Sequence, residues 1–461
     1  MASVKGNPEI YIARLDRLPG WGLSYIIFWA LGFSFFITLY DVINVGFALP
    51  YIPFITSSSE ASLVASLGLF GYVVGAPIFS FLSDRIGRKP AMVFTSFLIA
   101  IGSFGDAFSV NFPMLSLFRF ITGMAIGADL VLVMTYIAEM SPAKKRGIYS
   151  NIAFIAGYAG LGIGPYIAAE VVTTIPNIGW RIVFMIGGIL AVGALLIRAY
   201  APESLRFLAF HGKLEEAEKL ISIMEEISIK RYKIDKLPDP IIMNYKPPKE
   251  NPLKILLKPI YLKRLIVLFF LSFWFYFIDY PFLVLTPTWL KANLGYSSSQ
   301  LSYAIFLFGL SGLGVILGSI ILRFFIDRYD RRKLAIIDAL FYMIGAIIMS
   351  IGAVGHNFTT FFIGSFIAET IGVGWFNVYY LLDVDNFPTI ARATGYSLTD
   401  GIGHLGGALG LLALLPLANS LGNISVWGIL WIPALIMGGL TLIFTPKTTG
   451  FRLEEVNENK I

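Results

Sequence analysis

The sequence predicts an all-α membrane protein in which twelve transmembrane helices form two pseudo-symmetric six-helix bundles. Of its 461 residues, 56% are hydrophobic and 14% are charged, whereas a soluble domain carries about 25% charged residues. Apolar windows of about 20 residues, the length that crosses a bilayer as a helix, recur along the chain. Composition therefore excludes a soluble globular domain. Charged motifs that recur at a nearly constant offset predict a duplicated unit.

Twelve apolar segments are long enough to span a membrane. Between the sixth and the seventh lies a charged, proline-containing stretch with an amphipathic helix expected over 213–232. We interpret 203–260 as a cytoplasmic linker that joins an N-terminal bundle, 1–202, to a C-terminal bundle, 261–461. The predicted spans are 23–49, 61–82, 90–109, 113–139, 147–171, 180–200, 263–290, 298–326, 333–354, 359–386, 392–420 and 424–445.

Lysine and arginine concentrate in alternate loops, such as the run Lys144, Lys145 and Arg146. By the positive-inside rule, both termini and the linker are predicted to be cytoplasmic. Loop charges of this kind account for the net charge of +6 without a nucleic-acid partner. The chain has no cysteine and only three scattered histidines, so we expect no metal site and no cofactor.

Three pairs of motifs carry the internal repeat, and each pair falls at matching ends of matching spans. Their offsets are 243, 246 and 244 positions. Near-equal offsets indicate a duplicated six-helix unit, which is an architecture of transporters. The pairs are Asp84-Arg-Ile-Gly-Arg-Lys89 with Asp327-Arg-Tyr-Asp-Arg-Arg332, Glu139-Met-Ser-Pro142 with Asp385-Asn-Phe-Pro388, and Pro202-Glu-Ser204 with Pro446-Lys-Thr448.

Across essentially the whole chain, these motifs resemble the major facilitator superfamily. Ser80-Phe-Leu-Ser-Asp-Arg-Ile-Gly-Arg-Lys89 is similar to its loop between helices 2 and 3, and Pro202-Glu-Ser-Leu-Arg-Phe-Leu208 is similar to a sugar-porter signature. Sugar porters carry paired glutamines in helix 7, where this chain reads Phe275-Tyr-Phe-Ile-Asp-Tyr-Pro281. Arg14-Leu-Asp-Arg-Leu-Pro19 and Gly127-Ala-Asp-Leu130 resemble the branch of niacin, organic-ion, aromatic-acid and phosphate permeases.

Charged residues inside spans are costly, so each is a functional hypothesis. Helix rise places Asp41 and Arg119 at comparable depth in spans 1 and 4, and the resemblance implies that such a pair couples transport to protons. The alternative is a static salt bridge. Asp129, about 15 Å from Arg119 by the same rise, is predicted as a proton or substrate site, or else as a neutral, hydrogen-bonded acid. We count five carboxylates against one arginine in the spans.

Candidate solute-binding residues lie on spans 7, 10 and 11. The resemblance implies that helices 1, 4, 7 and 10 line the cavity. Asp400 and His404 are four residues apart, hence on one helical face, where they could relay protons, bind solute or simply pack. Aromatic side chains could stack on a ring-shaped solute, or could serve packing alone. The candidates are Asp279, Tyr280, Glu369, Trp375, Asn377, Tyr379, Asp400 and His404.

The repeated acid-arginine motifs predict a cytoplasmic gate. Ion pairs at these ends could close the cytoplasmic side, and their rupture would let the two halves rock around a central site. The alternative is ordinary positive-inside charge. The predicted gate residues are Asp84, Arg85, Arg88, Glu139, Arg146, Glu203, Asp327, Arg328, Asp385 and Arg392.

The resemblance and the acidic spans together predict a proton-coupled symporter that imports a small polar organic solute across the plasma membrane by alternating access. Its partners would be the solute, protons and the lipid bilayer, and we expect a monomer. One alternative is an antiporter that exports organic compounds, favoured by Gly157, Gly160, Gly164 and Pro165 of span 5. Another is a nutrient sensor without transport. No constellation predicts an enzyme.

Overall fold

A computed structural model of the protein describes residues 8–175, 177–241, 251–388, 391–449, 451 and 456. Twelve helices in this part of the chain are long and apolar enough to cross a membrane. Their ends lie within four residues of the predicted ones, which confirms the predicted spans. Spans 1 to 12 are Tyr25–Tyr51, Ser59–Ile86, Arg88–Phe108, Phe112–Met140, Ala143–Val172, Gly179–Ala199, Pro259–Ala292, Ser299–Leu322, Arg331–Val354, Phe358–Asp385, Thr394–Leu421 and Ser425–Phe444.

The packing of the spans repeats between the two halves of the chain. In the first half, span 1 packs on span 5, span 2 on span 4 and span 3 on span 6. The second half repeats this order with spans 7 and 11, 8 and 10, and 9 and 12. Small residues permit the close approaches: a Cβ atom at Gly75 would lie 2.0 Å from the backbone oxygen of Met124. The twofold pattern of motifs is therefore also a twofold pattern of packing.

Three spans of the second half contain π-helical segments, and each segment adjoins a predicted site residue. Span 7 changes from α-helix to Pro281–Leu285 directly after Tyr280, because proline removes a backbone donor. Span 10 contains Ala368–Val373, which includes Glu369, and span 11 contains Ser397–Gly401, which includes Asp400. Such bulges are frequent at functional sites. Glu369 and Asp400 are both buried.

Charged contacts hold the N-terminal helix, Pro8–Asp16, against the linker helix, Leu214–Tyr232. Arg14 bonds Glu218 at 2.8 Å and Glu225 at 2.8 Å, and Arg17 bonds Glu225 at 2.6 Å. Burial opposes ionisation of Glu225, but the hydrogen bonds from the two arginines outweigh it and lower the pKa of Glu225. The predicted amphipathic linker helix is thus confirmed, and it is fastened to the N-terminal half.

The two halves meet along several pairs of spans, which include spans 2 and 11, 5 and 8, and 1 and 7. The Ser66 hydroxyl of span 2 donates to the Ala408 carbonyl of span 11 at 3.0 Å. Span 5 contacts span 8, where Asn151 donates to Ser319 at 3.2 Å. A Cβ atom at Gly46 of span 1 would lie 2.7 Å from the Val284 oxygen in span 7. The halves are therefore in contact at several depths. We call the end that carries the linker the linker side and the opposite end the far side.

Candidate functional site

Two aspartates share one arginine in the N-terminal half. Arg119 of span 4 donates from Nε to Asp106 of span 3 at 2.7 Å and makes a second bond to the same oxygen from Nη2. Its Nη2 also lies 3.5 Å from Asp41 of span 1. Ser103 donates to the other Asp41 oxygen at 3.0 Å. All three charged side chains are buried, and we call Asp41, Asp106 and Arg119 the triad.

The triad opens on a small cavity between the halves. Spans 1, 2 and 4 contribute Asp41, Tyr72 and Arg119 to its wall, while spans 7 and 11 contribute Tyr280 and Leu411. Its volume is about 30 Å³, room for one or two water molecules. In this conformation the cavity therefore offers less space than an organic solute needs.

Beside this cavity, His404 lies between two tyrosine rings from opposite halves. Its imidazole centroid is 3.6 Å from the ring of Tyr72 in span 2 and 3.8 Å from the ring of Tyr276 in span 7. Both hydroxyls donate to Asp400, that of Tyr72 at 3.2 Å. Asp400 and His404 thus share one helical face, as predicted. The imidazole Nδ1, however, donates to the Asp400 backbone oxygen at 2.7 Å rather than to its carboxylate.

A second group of predicted residues lies within the C-terminal half. Asp279 accepts a 2.7 Å hydrogen bond from Tyr342 of span 9, and the Glu369 carboxylate lies in electrostatic range of Asp279. The Tyr379 hydroxyl donates to the Ala335 carbonyl at 3.0 Å. Asn377 is buried with neither side-chain polar atom hydrogen-bonded to a described residue. Trp375 stands apart, with its ring against Phe325.

The predicted balance of five carboxylates against one arginine in the spans is wrong. Asp106, Asp338 and Asp383 are also buried there, and so is Arg198 at the end of span 6. Each lies inside a segment that the sequence predicts as a span. A complete list of charged residues within the predicted spans would therefore have found them. Their partners, by contrast, depend on the rotation of each helix.

Asp129 lies apart from the triad and belongs to a buried ion pair. Arg198 bonds both of its carboxylate oxygens, with 2.8 Å from Nη2. Thr38 donates to Asp129 at 2.9 Å and Thr95 at 2.8 Å. As predicted, Asp129 does not pair with Arg119. Its carboxylate instead accepts hydrogen bonds from donors on spans 1, 3 and 6. This geometry favours a structural role over the predicted proton or substrate site.

We expect Asp129→Asn to lower the free energy of unfolding by about 3–5 kcal/mol, since it leaves the Arg198 guanidinium buried without a counter-charge. Thermal unfolding of the purified protein in detergent measures this loss. Asp129→Asn combined with Arg198→Met removes both charges and should recover much of it. A wild-type unfolding temperature for Asp129→Asn would contradict the structural role.

The predicted gate residues form the same network twice on the linker side. Within the first half, Arg88 bonds Asp84 at 2.9 Å and Glu139 at 3.0 Å. The Glu203 carboxylate accepts from the Arg88 backbone at 2.9 Å. In the second half, Arg331 bonds Asp327 at 2.9 Å and also bonds Asp385. Each network follows from one copy of the repeated motif.

Reciprocal contacts link the two networks across the halves. Arg146 of the first half bonds Asp385 of the second at 2.8 Å. Its repeat counterpart, Arg392, lies in electrostatic range of Glu139 in the first half. The Ile148 backbone also donates to Asp327 at 3.1 Å. These contacts hold the linker side closed, which is the arrangement expected of a gate.

Two predicted gate arginines lie outside this network. Arg85 is exposed and stacks over Phe81 at 4.2 Å, and Arg328 is exposed. Neither forms an ion pair with another residue in the described part of the chain. The second arginine of each motif, Arg88 or Arg331, begins the helix that follows the turn and lies 2.9 Å from the aspartate before the turn. The gate prediction chose Arg328 where the structure uses Arg331.

Comparison with known proteins agrees with this fold. The family model described as "Sugar (and other) transporter" matches residues 25–459. The niacin transporter NiaP of Acinetobacter baylyi is 26% identical over 86% of this chain and 88% of its own. The 4-hydroxybenzoate transporter PcaK of the same species is 27% identical over 82% and 80%. The structure of the proton:xylose symporter XylE of E. coli superposes with a TM-score of 0.74 at 19% identity, over 94% of this chain and 98% of that one. The chain therefore belongs to the sugar (and other) transporter family, within the major facilitator superfamily of membrane transporters.

Proposed function

We propose that this protein is a proton-coupled symporter that imports a small polar organic solute through the plasma membrane. The observation that carries the proposal is the triad: two buried carboxylates share one guanidinium at the wall of the cavity between the halves. With both aspartates ionised, the triad has a net charge of −1. A buried net charge is costly, so the triad has a physical reason to take up a proton.

Proton binding at the triad also favours solute binding. One proton makes the triad neutral and releases part of the Arg119 guanidinium toward the cavity. A solute that accepts hydrogen bonds from Arg119 then binds better to the protonated triad, and by linkage it raises the proton affinity by the same factor. Solute and proton are therefore expected to bind together and to cross together.

The gate supplies the second requirement of symport, which is alternating access. With both networks linked through Arg146 and Asp385, the linker side is closed. We propose that this side faces the cytoplasm. Loss of the cross-half contacts would let the halves rock apart there, while the contacts of Ser66 and Gly46 close the far side. The cavity would then exchange solute with one side at a time.

We propose a small aromatic monocarboxylate as the solute. Tyr72 and Tyr280 line the cavity, and aromatic rings of this kind favour a planar ring. The positive charge of the Arg119 guanidinium can pair with the one carboxylate of such a solute. Relatives named for niacin and for 4-hydroxybenzoate support this class. Competition among niacin, 4-hydroxybenzoate and D-xylose for binding to the purified protein tests it, and preference for D-xylose would contradict it.

Helix packing explains two of the span 5 glycines without an antiport function. A Cβ atom at Gly157 would lie 2.0 Å from Phe35, and one at Gly160 would lie 2.3 Å from the Phe36 oxygen. Both glycines are therefore needed for span 5 to pack on span 1. A nutrient sensor stays an alternative, and solute binding without solute or proton flux would identify it.

A further inference from the structure

The C-terminal half buries carboxyl groups within spans 7 to 11 while its buried arginines lie at the linker-side ends. The acids are Asp279, Asp338, Glu369, Asp383 and Asp400. Asp400 and Asp279 receive hydrogen bonds from tyrosines. The arginine nearest to Asp338 along span 9 is Arg332, about 9 Å away by helix rise and bonded to Asp330 at 2.6 Å, and the side chain of the intervening Lys333 is exposed. Asp338 therefore has no cation of its own.

Asp338 is also poorly hydrogen-bonded. It is fully buried, and among the described residues neither carboxylate oxygen receives a hydrogen bond of normal geometry. The one donor beside it is the Tyr379 hydroxyl, which also lies 3.0 Å from the Ala335 carbonyl oxygen. A buried ionised carboxylate in this position would have no counter-charge and at most this one shared donor.

A polar group from the opposite half faces Asp338. Tyr158 of span 5 lies in electrostatic range of both Asp338 and Asp279, and its hydroxyl lies near the backbone of Asn377 in span 10. Neither this hydroxyl nor the side-chain amide of Asn377 has a hydrogen bond of normal geometry among the described residues. Buried polar atoms are nearly always satisfied in proteins. Spans 5, 9 and 10 therefore bring together buried polar groups whose hydrogen bonding is incomplete in this conformation.

We propose that Asp338 is a second proton-carrying group of the transport cycle, separate from the triad. In the closed conformation it holds a proton as a neutral carboxylic acid, because its surroundings offer the anion no counter-charge and only the Tyr379 hydroxyl as a donor. When the halves separate at Tyr158, water enters and accepts the proton, which leaves the carboxylate and a hydrated proton. The transport part of this inference depends on the proposed symport, whereas the protonation state does not.

The titratable groups that interact with Asp338 come from spans 5, 7, 9 and 10. Span 7 presents Asp279, span 10 presents Tyr379, and span 5 presents Tyr158. Tyr342 lies one turn along span 9 itself and also interacts with Glu369. Span 12 has no titratable residue. All of these groups are carboxyl groups or tyrosines, so none of them supplies a positive charge.

Infrared spectroscopy of the full-length protein in liposomes tests the protonation state without any solute. At pH 7 we expect a carbonyl band from protonated carboxylic acids. In Asp338→Asn this band should lose the intensity that one carboxylic acid contributes. Asp338→Glu should keep that intensity at a shifted frequency, which separates loss of the acid from loss of fold. Asp239→Asn is the matched control, since Asp239 is exposed beside Lys236 and should leave the band unchanged. An unaltered band in both Asp338 variants would overturn the proposal.

The proton-to-solute ratio, from the reversal potential in proteoliposomes with 4-hydroxybenzoate as the probe, tests the role in transport. We expect Asp338→Asn to halve the ratio. An unchanged ratio in a variant that has lost the infrared band would overturn the carrier role and leave Asp338 as a permanently neutral acid. Absence of proton-coupled uptake in the wild type would instead contradict the proposed symport, and the infrared result would still stand.

Discussion

Asp41→Asn is expected to abolish solute-driven proton uptake while solute exchange between the two sides of the membrane continues. Asp41 is the aspartate of the triad that Arg119 holds less tightly, with 3.5 Å to the nearest guanidinium nitrogen. Asp106 receives two bonds from the same guanidinium. Protonation of Asp41 therefore disrupts fewer bonds to Arg119 than protonation of Asp106 would. Asparagine imitates the neutral form of Asp41. Coupling free energies between binding sites are typically about 1–3 kcal/mol, so we expect coupled uptake to fall about 5- to 150-fold.

The matched variant is Asp106→Asn at the other carboxylate. It weakens both bonds that Arg119 makes to residue 106, so the guanidinium would be drawn to Asp41 and away from the cavity. We therefore expect Asp106→Asn to weaken solute binding and exchange, in contrast to Asp41→Asn. Exchange and proton uptake, measured in the same proteoliposomes, separate the two effects. If proton uptake stayed at the wild-type level in Asp41→Asn, a group other than Asp41 would carry the transported proton.

Arg146→Gln is expected to shift the protein toward a conformation that is open on the linker side. The substitution removes the ion pair between halves but leaves Asp385 bonded to Arg331, so no charge becomes unpaired. A hydrogen bond to a charged group contributes about 1.5–3 kcal/mol. Loss of that contribution would raise the open population about 10- to 100-fold.

Cysteine accessibility measures this shift directly, because the chain contains no cysteine of its own. Ser150 is buried one turn after Arg146, so a thiol in Ser150→Cys should react with a linker-side maleimide only when the halves separate. We expect faster labelling when Arg146→Gln is added. Arg328→Gln is the control, since Arg328 is exposed and forms no ion pair with the described residues. Equal labelling rates in all three proteins would be evidence against an ionic gate.

Sequence patterns predicted the helical framework because hydropathy and motif spacing can be read from the chain without knowing which spans touch each other. Spans, linker helix and twofold repeat all follow from local composition and from offsets that can be counted. Part of the gate was predicted for the same reason, since Asp84 and Arg88, like Asp327 and Arg331, are only four residues apart. Asp400 and His404 likewise had to share a face of span 11.

Partners between spans could not be predicted, because they depend on how each helix is rotated about its axis. Arg198 is the partner of Asp129 from a different span, and Asp106 is the first partner of Arg119 although Asp41 was predicted. The stack of His404 between Tyr72 and Tyr276 joins His404 to residues 332 and 128 positions before it in the chain. No pattern along the chain encodes such a contact.

Proton movement into proteoliposomes that hold the wild-type protein tests proton-coupled symport most directly. A pH-sensitive dye inside the vesicles reports the internal pH while niacin or 4-hydroxybenzoate is added outside and solute uptake is followed in parallel. We predict internal acidification that accompanies uptake of the solute and disappears in Asp41→Asn. Solute uptake without acidification, or alkalinisation on solute addition, would contradict symport and indicate a uniporter or an antiporter.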